Sequence, residues 1–270
     1  MRLLTVCSLL ILASAAVVSC SKEDLPLQID GSTGVWPLVA PLVEAYQREY
    51  PGRAIGLEKG LGPTARLQAL AEGKIDIAMA SHGVDPEELK GNGRVPHRFS
   101  QMAVVFAVHD SVSVRNLTSE QVCGIYRGDV RNWNELGGPD LAIVRLMRPE
   151  TEVDTEVIRA EMPEMTDLQF AADTQIKQSS GDLAKALDAT EGAIGITTVG
   201  RVLRGEHTEA LKLDGIRGGE ESVKARTYPL SRNCYLVTSG EPSERVQHFL
   251  DFVGSERAAD LIRASGGIPE

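Results

Sequence analysis

Two kinds of local pattern alternate along residues 27–81, and this alternation constrains the fold more than any other feature. Short apolar runs typical of strands cover residues 27–29, 54–57 and 75–80, and helical periodicity covers residues 37–50 and 63–72. Pro51 and Gly52 end the first helical pattern, and Gly73 ends the second. This β-α-β-α-β order predicts a mainly parallel sheet covered by helices.

The same order starts again after a continuous apolar strand at residues 102–108. The later predicted elements are helices at 118–126, 155–161, 242–253 and 256–264 and strands at 142–147, 193–197 and 235–238. A chain of 270 residues that is 42% hydrophobic can form two such units. We therefore predict an α/β protein with two lobes, each a mainly parallel sheet flanked by helices. Lobe I covers residues 26–103 plus 235–270, and lobe II covers residues 104–234.

The amino terminus has the pattern of an export signal. Arg2 precedes an apolar stretch, residues 3–18, that is too short to span a bilayer comfortably. The sequence Val-Ser-Cys that ends at Cys20 is similar to the lipobox of bacterial lipoproteins, whose cysteine is acylated. We predict a signal peptide at 1–19, a lipidated tether at 20–25, and a lipid-anchored protein at the periplasmic or extracytoplasmic face of the cell envelope. A plain signal peptide or an uncleaved anchor is the alternative.

Composition argues against several other classes of protein. With 28 Lys and Arg against 38 Asp and Glu, and no basic cluster, the chain lacks the charge pattern of a nucleic-acid-binding protein. The four cysteines are too far apart for a zinc site or a disulfide scaffold, and Cys123 and Cys234 are better explained as buried thiols than as a pair. Common motifs of hydrolases, nucleotide-binding enzymes and metalloproteases are missing, so no enzyme, metal or cofactor is expected.

Three predicted strands end in turns that can hold a small anionic ligand. The carboxyl ends of parallel strands meet at one edge of a sheet, and unpaired N–H groups at helix starts attract anions. Capping of the helices by these hydroxyls is the alternative for each turn. The candidate ligand-binding residues in the turns are Ser32, Thr33, Gly34, Thr64, Ser81 and His82.

Two other motifs near these elements are weak. Residues 60–65 match a GxGxxA dinucleotide pattern, but the next strand ends in Ser-His rather than in an acid. The acids within residues 150–161 lack the glycine of a calcium loop. Thr151 and Asp154 instead predict a capping box at the start of a helix.

Several longer stretches carry a family resemblance: residues 30–51, 74–81, 117–147, 192–196 and 228–232. Together they resemble the phosphate-binding subunits of bacterial phosphate transporters, in the type II periplasmic binding protein superfamily. The resemblance covers nearly all of the chain after residue 19. It implies two lobes that are joined by crossover strands near 103–108 and 232–238 and close on a ligand. The implied function is an exported solute-binding lipoprotein that captures phosphate or a related oxyanion for an ABC transporter permease.

The resemblance also implies that a loop beginning at Arg148 binds the ligand. Family members carry Arg-x-x-Gly-Ser-Gly-Thr there, whereas only the arginine matches in residues 148–154 of this chain. Because Glu152 and Asp154 are acceptors only, we predict a degenerate site that binds phosphate weakly. The alternative function is a non-transport structural or sensory relative that has lost phosphate binding and acts through a protein partner.

Overall fold

A computed structural model describes residues 25–81 and 84–270. The helices are α1 (Trp36–Glu49), α2 (Pro63–Ala71), α3 (Pro86–Gly91), α4 (Ser119–Arg127), α5 (Val153–Glu161), α6 (Ser180–Ala189), α7 (Val199–Val202), α8 (Glu220–Lys224), α9 (Glu244–Val253) and α10 (Glu256–Ala264). The strands are β1 (Leu27–Gly31), β2 (Ile55–Leu57), β3 (Ile77–Ser81), β4 (Arg94–His109), β5 (Asn116–Leu117), β6 (Val144–Met147), β7 (Gln175–Ile176), β8 (Ala193–Thr198), β9 (Thr208–Ala210), β10 (Lys212–Leu213), β11 (Ile216–Arg217), β12 (Ser231–Ser239) and β13 (Ile268–Pro269).

Three of the sequence-based predictions fall on residues that the structure does not describe. They are the signal peptide at 1–19, the lipidation site at Cys20 and the ligand-binding role of His82. The tether at 20–25 also lies outside, except for Leu25. In the described part of the chain, no helix has the length and apolar character needed to cross a membrane.

One mixed sheet runs through both lobes in the order β2-β1-β3-β12-β4-β8-β6-β7. In one half, β1 pairs in parallel with β2 and β3. In the other half, β6 pairs in parallel with β7 and β8. The antiparallel strands β12 and β4 lie between these two parallel groups. The predicted α/β fold with mainly parallel sheets is confirmed.

Strand β4 joins the two halves because it changes its partner along its length. Its first part, residues 94–103, pairs with β12, and residues 104–108 pair with β8. Since β4 is 16 residues long, it crosses directly from lobe I to lobe II. The residue bounds of the lobes stay a prediction.

Each lobe has its own hydrophobic core. In lobe I, the rings of Tyr46, Phe249 and Phe252 meet edge to face between α1 and α9. In lobe II, Trp133 and Tyr126 are fully buried beside the sheet. Buried aromatic side chains each remove on the order of 150–250 Å² from water, so these two clusters stabilise the two halves of the sheet. Cys123 and Cys234 are free and buried, as expected of two unpaired thiols.

Candidate functional site

The first turn, residues 32–35, follows β1 at the edge of lobe I where β1 and β3 end. We call this the cleft edge. Gly31 has φ +137°, and a Cβ there would lie 2.4 Å from a backbone oxygen of β3, so only glycine fits. The N-cap of α1 is Val35, and no side chain caps the helix. The capping alternative is therefore wrong for Ser32 and Thr33, whose hydroxyls stay available to a ligand.

The second and third turns differ in how they use their hydroxyls. Helix α2 begins at Pro63 with Gly62 as its N-cap and no side-chain cap, and Thr64 is exposed. Ser81 is 1% exposed, and its Oγ donates to the carbonyl of Asn233 over 3.1 Å. The Thr64 hydroxyl is open to a ligand, whereas the Ser81 hydroxyl proton is used in a hydrogen bond between β3 and β12.

Arg148 follows β6 and is buried on the lobe II side of the cleft. Its Nη1 donates to the carbonyl of Lys177 over 2.6 Å. Its Nη2 forms an ion pair with the half-exposed carboxylate of Glu152. The hydroxyl of Thr155 donates to the Arg148 carbonyl over 3.2 Å. These contacts fix the loop and neutralise part of the Arg148 charge.

A buried ion pair between Arg232 and Asp154 lies within the predicted bounds of lobe II, and Arg232 also reaches the first turn of lobe I. Arg232 Nη1 lies 3.1 Å from Asp154 Oδ1, and the two side chains are 5% and 6% exposed. Arg232 Nη2 also donates to the carbonyl of Gly34 over 3.3 Å. A Cβ at Gly34 would lie 2.7 Å from Arg232 Nη2, so the glycine lets the guanidinium approach the first turn.

The Asp154 contact corrects the predicted capping box. Helix α5 begins at Val153, its N-cap is Glu152, and no side chain caps it. Thr151 and Asp154 do not exchange capping hydrogen bonds because the Asp154 carboxylate pairs with Arg232 instead. Within the described residues, Arg232 Nε has no hydrogen-bond partner, and Asp154 Oδ1 contacts Arg232 Nη1 as an ion pair without hydrogen-bond geometry. A buried polar atom without a partner costs about 1–3 kcal/mol, so a hydrogen-bond acceptor that reaches Arg232 Nε is stabilising.

Arg201 of α7 lies close to this ion pair. Its Nη2 donates to the Ser180 hydroxyl over 3.2 Å. Burial lowers the pKa of Arg201, the charges of Arg204 and Arg232 lower it further, and Asp154 raises it. Arg148, Arg201 and Arg232, which we call the arginine cluster, therefore face two carboxylates, Glu152 and Asp154. Three positive charges minus two negative charges leave a formal charge of +1. The neighbouring Arg204 adds one more positive charge.

Sequence reasoning placed Arg148 in the site and missed the rest of the arginine cluster. Arg232 belongs to a stretch that carried the family resemblance, residues 228–232, and a charged residue at the start of a buried strand was a usable signal. Arg201 had no such signal in the sequence, because it follows β8 and comes near Asp154 only through folding.

Comparison with known proteins gives the family. A family model described as a PBP superfamily domain matches residues 16–257. The chain belongs to this superfamily. The phosphate-binding protein PstS of Bacillus subtilis is 28% identical over 251 residues, which cover 92% of this chain and 82% of the relative. PstS of Borreliella burgdorferi is 22% identical over 94% of each chain.

Solved structures agree with this assignment. A protein of Clostridium perfringens, described as a phosphate ABC transporter substrate-binding protein with bound phosphate, superimposes with a TM-score of 0.77 at 27% identity. The match covers 91% of this chain and 100% of that chain. A phosphate transport receptor of Vibrio cholerae gives a TM-score of 0.66 at 25% identity over 90% of this chain. The predicted family and two-lobed fold are confirmed, and the two solved structures are described as transport proteins rather than as enzymes.

Proposed function

We propose that this protein is an exported solute-binding protein that captures phosphate or a related oxyanion between its lobes for an ABC transporter. One observation carries the proposal: Arg232 contacts the first turn of lobe I and the Asp154 carboxylate at the start of α5. The ligands named for the matched relatives support phosphate, and their roles support transport over the structural or sensory alternative.

The charges of the site favour an anion. The prediction of weak phosphate binding set two carboxylates against Arg148 alone. In the structure Glu152 is paired with Arg148 and Asp154 with Arg232, and Arg201 has no acid as hydrogen-bond partner among the described residues. At an effective dielectric constant near 20, one unit charge about 4 Å from another contributes roughly 4 kcal/mol. The excess positive charge therefore attracts an oxyanion, while the nearby acids weaken its binding.

Closure of the lobes would follow from the same contacts. A ligand at the arginine cluster can also accept hydrogen bonds from the first and second turns, because the Ser32, Thr33 and Thr64 hydroxyls do not cap helices. A ligand that touches both sides favours the closed form, and β4 is the connection that would bend. We propose lobe bounds of 26–103 plus 235–270 and 104–234, supported by the change of partner along β4.

Calorimetry on the purified chain after residue 20 tests the function. Phosphate should release heat at a single site, and Arg232→Gln should weaken binding at least tenfold, because it removes the contact between the lobes. Arg257→Gln is the matched control: Arg257 is an exposed arginine of α10 paired with Glu49, and its loss should leave affinity unchanged. No binding of phosphate, arsenate or sulfate by the folded wild-type protein would refute the proposal.

We also propose that lipid attached at Cys20 holds the protein at the membrane outside the cytoplasm. The apolar stretch at 3–18 and the lipobox-like residues before Cys20 support this. Cys20→Ala should move the protein from the membrane fraction to the soluble fraction or leave it unprocessed. Cys7→Ala, inside the predicted signal peptide, is the control and should change neither outcome. Unaltered mass and membrane retention of Cys20→Ala would count against the anchor.

A further inference from the structure

A cavity of about 190 Å³ lies between helices α6 and α7 on lobe II. Its α6 wall includes Ala184, Lys185 and Asp188, which share one face because they are three and four residues apart. Thr197 of β8 and Arg201 of α7 also line it. Apolar cavities of about 150 Å³ can bind a molecule the size of benzene, so a small organic molecule fits this volume.

Thr197 brings a buried hydroxyl without a partner to the cavity. The residue is 3% exposed, and its hydroxyl makes no hydrogen bond in the part of the chain that the structure describes. Gly195, two residues earlier on β8, faces α6: a Cβ there would lie 3.2 Å from Leu183 Cδ2. Residues two apart on a strand share a face, so Thr197 also faces α6. Buried hydroxyls nearly always have a hydrogen-bond partner, and here a bound molecule can supply it.

The Thr197 hydroxyl and the Arg201 guanidinium lie at the same end of the cavity. Helix α6 ends at Ala189 and β8 begins at Ala193, so this short connection reverses the chain direction. Thr197, near the end of β8, therefore lies beside the start of α6. At that same start, Arg201 Nη2 donates to the Ser180 hydroxyl over 3.2 Å. One end of the cavity thus combines a hydroxyl with a guanidinium, a suitable donor set for a carboxylate.

Three cations line the cavity: Lys185, Arg201 and Arg204. Among the described residues, none of them forms an ion pair with an acid. Arg204 donates to the carbonyls of Gly200 and Pro37, which uses its N–H groups and leaves its charge in place. With Asp188 as the one acid among the lining residues, three positive charges minus one negative charge leave a formal charge of +2. The cavity therefore attracts an anion.

Asp188 lies at the other end of α6 and has its own partners. Its Oδ1 accepts from the backbone N–H of His207 over 2.7 Å and from the Thr208 hydroxyl over 3.0 Å. It is eight residues beyond Ser180, or about 12 Å along the helix axis. The apolar side chains of Ala184 and Leu187 line the wall between these two ends. An inorganic oxyanion has no group for this apolar wall, whereas an organic anion does.

We propose that this cavity binds a small organic carboxylate at a site separate from the oxyanion site between the lobes. The carboxylate accepts hydrogen bonds from Arg201 and Thr197, and its hydrocarbon part lies along Ala184 and Leu187. Because Arg201 also belongs to the arginine cluster, the two anions share one cation. Each therefore weakens the binding of the other in part without displacing it.

Calorimetry with butyrate and its uncharged analogue butyramide tests this site. Wild type should bind butyrate at least tenfold more tightly than butyramide, which corresponds to about 1.4 kcal/mol. Arg201→Gln should weaken butyrate binding at least tenfold. Thr197→Val keeps the shape of the side chain and should weaken it at least threefold. Thr198→Val is the matched control: Thr198 is the next residue of β8 and is also buried, but its side chain lies on the opposite face of the strand, so butyrate affinity should stay within twofold.

Three results would overturn the site: equal affinity for butyrate and butyramide, equal effects of Thr197→Val and Thr198→Val, or complete loss of butyrate binding in saturating phosphate. The last result would place butyrate between the lobes. Saturating phosphate should instead weaken butyrate binding less than fivefold. If the folded wild-type protein binds phosphate and no butyrate, this site is refuted and the proposed function stands. Binding of butyrate without any oxyanion would refute the proposed function alone. Thr197→Val keeps the test decisive if Arg201→Gln does not fold.

Discussion

The two sides of the cleft differ in whether their charged side chains have partners of opposite charge. On the lobe II side, two acids at the start of α5 have arginine partners: Glu152 with Arg148 and Asp154 with Arg232. On the lobe I side, the turns offer backbone N–H groups and hydroxyls, and Arg66 has no acid partner within the described residues. The acids of the lobe II side are thus paired within the chain and leave a net positive charge there, whereas Arg66 on the lobe I side is buried without an acid partner among the described residues.

This difference predicts different consequences for stability and for binding. Loss of a paired group on the lobe II side leaves its partner buried and uncompensated, which should mainly reduce stability. Loss of Arg66 on the lobe I side removes an unpaired buried charge, so stability should change little or rise.

The largest expected effect is on the Arg232–Asp154 pair. Arg232→Met should lower the free energy of unfolding by about 3–5 kcal/mol, because the Asp154 carboxylate is then buried without its partner. Denaturant titration measures this change. The double variant Arg232→Met, Asp154→Leu should recover much of the loss. Arg257→Gln breaks an exposed pair and should cost at most about 1 kcal/mol. If the double variant is as unstable as the single variant, the Arg232–Asp154 pair is not the source of the lost stability.

The second effect is on phosphate affinity. Asp154→Asn keeps the shape of the side chain and removes its negative charge, so phosphate affinity should rise at least tenfold, or about 1.4 kcal/mol. Calorimetry on the folded variant measures it. The control is Glu156→Gln on the same helix: Glu156 forms no ion pair in the described part of the chain and should affect phosphate binding less than twofold. An unchanged or lower affinity in Asp154→Asn would mean that Asp154 does not oppose the ligand.

Local sequence signals predicted the fold well and the site only in part. Helix α10 spans the predicted residues 256–264, and α4 differs from prediction by one residue at each end, because its start and end depend on local signals. Thr118 and Gln121 form a capping box, and Gly128 ends the helix at φ 89°. Such contacts are made between residues close in sequence, so periodicity and caps reveal them.

The errors arose where distant residues meet. The capping box at Thr151 and Asp154 was a sound local prediction, but Arg232 outcompetes the backbone N–H groups for the Asp154 carboxylate. Helix α6 was not predicted, although Ser179 caps it through the N–H of Asp182. The three-stranded sheet of β5, β10 and β11 was also missed, because strands of two residues have no periodicity to detect.

The smallest expected effect is at the far end of lobe II, and it shows whether charge pairs outside the cleft matter for binding. His207 Nδ1 lies 2.8 Å from Asp110 Oδ2, and this contact raises the pKa of His207 above its usual value of 6.5. Asp188 and Glu206 raise it further, and the His109 ring stacks 5.7 Å away. A raised pKa in the folded state means that the stabilisation is present below the pKa of the unfolded chain. It is lost as pH rises through the folded-state pKa.

Thermal melts of wild type and His207→Asn should therefore differ most below pH 6.5, and the difference should disappear as pH rises through the raised pKa of His207. The difference should be small because the pair is exposed. Ser255→Ala, which removes the cap on the Ala258 N–H of α10 without touching a titratable group, is the control and should shift the melts equally at low and high pH. Phosphate affinity should be the same in wild type and His207→Asn, since the pair lies at the end of β4 away from the arginine cluster. A difference in melting that grows with pH would reverse the assigned direction of the pKa shift. A change in phosphate affinity would show that charge at the far end of lobe II reaches the cleft.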